Sequence, residues 1–423
     1  MKLKKKKFAA ILSLVMVLLL NANVPAVAAA ANPTEPVING KAAITIDLQT
    51  NEIIYANNID AKKYPASTTK LMTALLFAEN KKKTDMITYS ADAKAQPEFT
   101  MNADLKPIAV GQTMSAKDTM LALLLYSAND AAYMIADSVS PDSAAFIIKM
   151  NEKAASLGLK NTHFVTANGL PDPNHYTTAY DLSVIAKTAF ANDWVRETMG
   201  TKKATITTSG GASMYIENRN KNLGKDGCIA GKTGYTTDAG KCLVAVYERN
   251  GRKILGIVLQ SVYDANDTFV FDDMKKIIDY SYAVKPSILH AAGSVIKTEK
   301  LTYKPLGFIG PAKTVDVPLV SKTDVTYYAN SVNAGEQKET YKFNDIKFST
   351  LTGSKSIGTL NVTTRDSVKT YQVYSNLSVL DIIKANILLY AGLLLGFIFL
   401  AAIILLIIRK ILGGRNRGRN YYN

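Results

Sequence analysis

Four hydrophobic patterns follow one another along the 423-residue chain, and each predicts a different kind of element. The first is a short apolar run, Phe8 to Leu20, between a lysine-rich start and the small residues Ala26-Val27-Ala28-Ala29-Ala30-Ala31. That combination marks a cleaved secretory signal over residues 1–31, with cleavage after one of Ala28 to Ala31. The run is short for a bilayer span, which argues against an uncleaved anchor.

The second pattern mixes strand and helix periods. Ala42-Ala43-Ile44-Thr45-Ile46-Asp47-Leu48 and Glu52-Ile53-Ile54-Tyr55 flank Gln49-Thr50-Asn51 and predict a β-hairpin. A helix is expected to open at or near Ser67, with Pro65 fixing its start, and to run to about Asn80. Lys81-Lys82-Lys83 would complement its negative end. Residues 84–215 read as mostly helical, with loops near 97–112 and 168–175; the run Met120–Leu125 breaks at Ser127-Ala128-Asn129-Asp130 before a second helical stretch, Ala131 to Val139. Three strands follow, Cys228 to Gly234, Cys242 to Tyr247 and Lys253 to Leu259, then a helix from Asp272 to about Tyr282. Strands at both ends of a helical middle predict an α+β domain over 32–285: an antiparallel five-stranded sheet flanked by helices, with a helical insertion.

After Pro286 the third pattern takes over. Val, Thr, Tyr and Lys alternate without a helical period, as in Thr323–Tyr328 and Gly358–Thr363, and predict a small all-β domain over 286–378. It carries no chemical constellation, so a spacer or partner surface is its expected role. The fourth pattern, Asn386 to Ile408, is about 23 almost wholly apolar residues, enough to cross a bilayer core as one transmembrane helix. The basic tail 409–423 should then remain inside, with the body of the protein outside.

Charge changes this picture little. Of the net +15, five charges come from Lys2, Lys4, Lys5, Lys6 and Lys7, and five from Arg409, Lys410, Arg415, Arg417 and Arg419, leaving five for everything between. The basicity flanks membrane segments, so no nucleic-acid partner is expected. Cys228 and Cys242 are too few for a disulfide framework and lack metal-ligand spacing; they read as two buried thiols, with a single disulfide as the alternative. His163, His175 and His290 form no HExxH pattern, so no metal or cofactor is expected.

Candidate chemistry lies in three short motifs: Ser67-x-x-Lys70, Ser127-x-Asn129 and Lys232-Thr233-Gly234. Residues three apart share a helix face, so the Lys70 amine can lie over the Ser67 hydroxyl and take its proton. Taken singly, each motif has a plainer explanation; Ser67 can be an N-capping serine with Lys70 solvated. Together, with Ser67 at a helix start, Ser127 at a helix break and Lys232 on a strand, they resemble the penicillin-binding serine acyl-transferases. Pro65-Ala66-Ser67-Thr68-Thr69-Lys70, Ser127-Ala128-Asn129-Asp130 and Gly231-Lys232-Thr233-Gly234-Tyr235-Thr236 are similar to the low-molecular-weight D-alanyl-D-alanine carboxypeptidases. So is the stretch from Thr162-His163-Phe164 through Asn168-Gly169-Leu170 to Thr177-Thr178-Ala179-Tyr180-Asp181.

That resemblance implies an acyl-enzyme on Ser67, Lys70 as its base and Ser127 as a proton relay to the leaving amine, oriented by Asn129 and Lys232. It implies that Lys232 and Thr233 hold the substrate's terminal carboxylate, that Gly234 lets the substrate lie along the strand, and that the N–H groups of Ser67 and Tyr235 meet the oxyanion. The implied partners are peptidoglycan stem peptides ending in D-Ala-D-Ala, with β-lactams as covalent inhibitors, in a cell-wall role at the cell membrane. Two other readings stand beside it: a non-catalytic wall-binding or β-lactam-sensing protein on the same fold, and a β-lactamase. The latter would need a Glu-x-x-x-Asn loop of which no convincing copy is present. The chain also departs from the pattern of many relatives, which carry an arginine near the end of the last sheet strand; here the residues are Gln260-Ser261-Val262-Tyr263-Asp264. Plainer roles are expected for His163 (a structural loop), Asp130 (a cap for its own helix) and Trp194 (a core or groove aromatic).

Overall fold

The computed structural model describes residues 32–307, 310–353 and 355–417. The expected signal, 1–31, and the end of the tail, 418–423, lie outside the described residues. The expected hairpin forms from β1 (Ala42–Asp47) and β2 (Ile53–Asn57). After a short 3-10 turn, Ala66–Thr69, comes the helix α1 (Lys70–Asn80). The helical middle contains α2 (Asn129–Val139), α3 (Ser143–Ser156), α4 (Ala179–Ala191) and α5 (Asp193–Met199). Then follow β3 (Cys228–Thr236), β4 (Gly240–Arg249), β5 (Arg252–Ser261) and α6 (Phe269–Ala283).

The five strands form one antiparallel sheet in the order β2-β1-β5-β4-β3. Its middle strands are apolar without a break because both faces are covered. Successive side chains on a strand point to opposite faces. Ile44, Val244, Val246, Leu255 and Ile257 accordingly join the core under the helical middle, while Ala43, Leu243, Ala245, Ile254 and Val258 pack with Val270, Met274 and Ile277 of α6. The sheet and the helices around it are therefore as the sequence predicts.

The span 84–215 is less helical than expected. Met86–Thr88 pairs with Thr113–Ser115, and Lys203–Thr207 pairs with Ser213–Glu217 as a hairpin. The alternation Ala204-Thr205-Ile206-Thr207, with only Ile206 buried, is a strand period interrupted by the turn at Gly210-Gly211.

Downstream, β6 (Val295–Tyr303), β7 (Lys313–Ser321), β8 (Lys338–Phe343), β9 (Gly358–Thr364) and β10 (Ser367–Ser375) form a second antiparallel sheet, ordered β6-β7-β10-β9-β8. It has its own core, including Leu301, Val317, Leu319, Leu360 and Val373. Two short helices, Ser331–Glu336 and Phe348–Leu351, interrupt the all-β pattern. This region covers the open edge of β2, where Asn330 and Asn333 donate to Ile53 O. Across the same contact Arg365 pairs with Asp60 while also holding Glu336 of its own region, and Lys369 pairs with Glu52. The short helix α7 (Val379–Ala385) leads into α8 (Ile387–Arg417), whose stretch Ile387–Ile411 is exposed, apolar and long enough to cross a membrane.

Candidate active site

Ser67 does not cap a helix. Pro65 occupies the N-cap position of the 3-10 turn without a side-chain cap, Ala66 takes a left-handed φ of 46°, and Thr68 donates both its N–H and its hydroxyl to Pro65 O. With the local backbone acceptor used by Thr68, the half-buried Ser67 hydroxyl is left for other work. The i, i+3 geometry holds: Lys70 Nζ lies 2.8 Å from Ser67 Oγ.

Lys70 is completely buried. Its Nζ donates to Asn129 Oδ1 at 2.7 Å and to Asn168 O at 2.9 Å. Asn129 Nδ2 donates to Glu98 O at 2.8 Å, which fixes the amide so that Oδ1 faces the lysine. Both partners can only accept. A neutral amine has two N–H bonds for them and one lone pair, which is left facing the Ser67 hydroxyl. Burial is the main cause that pushes the Lys70 pKa well below the usual lysine range; the nearby Arg219 guanidinium adds to the shift and Asp130 opposes it.

Ser127 sits at the predicted break, by an unpredicted device. The helix Ala116–Leu121 passes into a π-helical turn, Ala122–Tyr126, which ends with Ser127 in the left-handed region at φ 73°. That strained conformation is uncommon for a side chain with a Cβ, and it reverses the chain just before α2. It places Ser127 Oγ 2.8 Å from Lys232 Nζ.

Asp130 departs from its expected role as a cap on its own helix. Its carboxylate accepts from Ala131 N, but also from Met101 N, Asn102 N and the Tyr89 hydroxyl. It ties the start of the helix Met101–Asp104 against α2, so its work is to hold the cleft wall.

Strand β3 is the sheet edge beside Ser67. Lys232, only 1% exposed, lies beneath the cleft surface and donates to Ser127 Oγ and Thr233 O. Its pKa is also lowered, by burial first and then by Lys70 and Arg219. The two lysines repel each other when both are charged, so loss of the proton from Lys70 would remove one repulsion from Lys232. Gly234 is needed for close packing: a Cβ there would lie 3.1 Å from Pro65 O, Ser67 N and Thr68 N. The strand therefore abuts the serine turn and brings the Ser67 N–H beside β3.

The cleft between these elements holds about 430 Å³ and is lined by Ser67, Ser127, Thr233 and Tyr235. Three further cations line it, Arg219, Lys221 and Lys241, none of them singled out by the sequence motifs. Arg219 follows the hairpin strand Ser213–Glu217, and its guanidinium lies 4.6 Å from the Tyr126 ring and 5.6 Å from the Phe99 ring. Lys241, opposite Tyr235 on β4, stands 2.7 Å from Asp267 Oδ1 and lies over the rings of Tyr235 and Tyr263. Those rings lie tilted at 35° to each other with their centroids 5.3 Å apart, beside the Gln260–Asp264 segment that has no arginine. Gln260, with φ 53°, takes part in an irregularity of the β4–β5 pairing opposite Lys241.

The other readings need few words. Both cysteines are free and buried. His163 Nδ1 bonds Asn174 O in a loop, and Trp194 packs on Phe77 at 5.5 Å.

The chain is similar to known proteins over this same region. The D-alanyl-D-alanine carboxypeptidase family (peptidase S11) matches residues 28–262. The D-alanyl-D-alanine carboxypeptidase DacF of Bacillus subtilis is 30% identical over 222 residues, 52% of this chain and 56% of the relative. DacC of Escherichia coli, of the same name, is 31% identical over 261 residues, 58% of this chain and 62% of the relative. The chain thus spans less than two thirds of the length of these curated relatives. The crystal structure of the Streptomyces K15 DD-transpeptidase superposes with a TM-score of 0.55 at 29% identity, covering 60% of this chain and 100% of that one. Residues 28–262 make up more than half of the sequence, and the chain belongs to the D-alanyl-D-alanine carboxypeptidase family.

Proposed function

We propose that this protein is a serine D-Ala-D-Ala carboxypeptidase that removes the terminal D-alanine from peptidoglycan stem pentapeptides. The observation that carries the reading is the Lys70 geometry: a buried Nζ 2.8 Å from Ser67 Oγ, whose two other partners can only accept, so that the neutral amine turns its lone pair to the serine. Ser67 Oγ attacks the carbonyl of the penultimate D-alanine as its proton passes to Lys70 Nζ. The N–H groups of Ser67 and Tyr235 hold the oxyanion. Ser127 delivers a proton to the departing D-alanine nitrogen, with Asn129 and Lys232 setting its surroundings. Water then cleaves the Ser67 ester and frees the shortened peptide. A penicillin would acylate Ser67 by the same attack.

The substrate's terminal carboxylate rests on Thr233, with the Lys232 charge beneath it and Arg219 and Lys241 at the rim. Replacing Arg219 by alanine should raise KM for the pentapeptide by about 10-fold or more, the worth of a charge-assisted hydrogen bond, with a smaller change in kcat. Steady-state kinetics on a peptide ending in D-Ala-D-Ala, beside one ending in the amide, checks this. The amide should lose the difference between wild type and variant.

In the cell the signal 1–31 would export the chain, Ile387–Ile411 would anchor it in the membrane, and the catalytic body would face the wall. Released D-alanine, measured on the full chain with a stem pentapeptide, tests the reaction. Wild-type release supports the reading; its absence, with penicillin label still on Ser67, would favour a sensor.

A further inference from the structure

A buried histidine outside the three motifs joins both sides of Lys70. His175 is 1% exposed. Its Nδ1 accepts from Val165 N at 3.1 Å and Thr166 N at 3.2 Å, so the ring proton belongs on Nε2. Nε2 then donates to Thr69 Oγ1 at 2.9 Å. Phe164 stands edge-on to the ring at 5.6 Å and helps fix its plane.

Both ends of this bolt matter to the lysine. Thr69 is the last residue of the serine turn and directly precedes Lys70. Val165 and Thr166 begin the loop that supplies Asn168 O, one of the two acceptors of Nζ. The loop is packed hard on the turn: Gly169 has φ 87°, and a Cβ there would run into Ala66 O and Thr69 Oγ1. Thr73 adds a second tie, from its hydroxyl to Ala167 O at 2.6 Å.

We infer that His175 is a positioning residue for the Ser67–Lys70 pair, bolting the 165–169 loop to the serine turn so that Asn168 O and the Lys70 amine keep their register. The inference rests on the catalytic reading above. His175 touches neither substrate nor Ser67 and transfers no proton. The groups whose charge reaches Lys70 are Asp130 on α2, Lys232 on β3 and Arg219; those facing His175 are Asp172 and His163. Burial holds His175 down to about 4, so it stays neutral across the working range.

The test is the pH dependence of acylation by a fluorescent penicillin, in full-length wild type, Thr69→Val, His175→Asn and the double variant. Breaking the bolt lets the loop relax and water reach Nζ, which undoes part of the desolvation. The acid limb of acylation should move to higher pH by about 1 unit in each single variant. In the double it should move no further, because one bond has been removed from either end. Thr69→Val keeps the side-chain shape and guards against a variant that merely fails to fold. Lower melting temperatures with an unmoved acid limb would overturn the inference and leave His175 a packing residue. A wild type that fails to acylate at all would overturn the catalytic reading and this inference with it.

Discussion

Lys70→Met should slow acylation of Ser67 by about 10³-fold, equivalent to about 4 kcal/mol in the barrier. Methionine fills the buried volume with no amine, so Ser67 keeps its place and loses the group that takes its proton. Stopped-flow labelling with a fluorescent penicillin measures the step directly, apart from deacylation. The pH dependence of the wild type follows from the same amine. Lys70 works as a base only when deprotonated, so acylation rises with pH through its pKa. The midpoint should fall below the 10.5 of an ordinary lysine, because burial and the Arg219 charge disfavour the ammonium. In the Lys70→Met variant that limb should vanish from the slow residual rate. A variant that acylates within a few-fold of wild type would assign the base elsewhere.

Ser127→Ala should lower kcat for D-alanine release by about 10²-fold, with little change in KM. The hydroxyl is 2.8 Å from Lys232 Nζ and lines the cleft, where it can pass a proton to the leaving nitrogen. Backbone strain is a competing cause, since Ser127 holds φ 73°. Ser127→Gly separates the two: glycine relieves the strain but has no hydroxyl, so it should be as slow as alanine. Recovery in the glycine variant would mean that the backbone, not the hydroxyl, carries the effect.

Sequence made the sheet and the motif residues legible because both depend on short periods. Ser67 and Lys70 are three apart on one turn, and uninterrupted apolar runs such as Ile254–Leu259 betray strands buried on two faces. The helix break at Ser127 was also visible, but the π turn that produces it was not, since nothing in Ala122–Tyr126 distinguishes five bonds from four. What escaped is what tertiary contact decides. Arg219 and Lys241 enter the cleft from a loop after one hairpin and from the neighbouring strand, so no sequence spacing links them to Ser67. In the sequence Asp130 is visible only beside its own helix, whereas three of its four donors come from Tyr89, Met101 and Asn102. The packing role of Gly234 is invisible in the sequence because the approach of Pro65 and Ser67 is a contact between distant segments. The hairpin 203–217 is short and follows a long helical stretch, so its strand period covers only a few residues of the span 84–215.

The central claim is that Ser67, activated by a neutral Lys70, forms the acyl-enzyme. Intact-mass measurement of the full chain after brief exposure to a penicillin, followed by peptide mapping, tests it most directly. The account predicts one added penicilloyl mass on the peptide carrying Ser67, absent in Ser67→Ala, and loss of D-alanine release in the labelled protein. An adduct on another residue, or D-alanine release undiminished in Ser67→Ala, would contradict it.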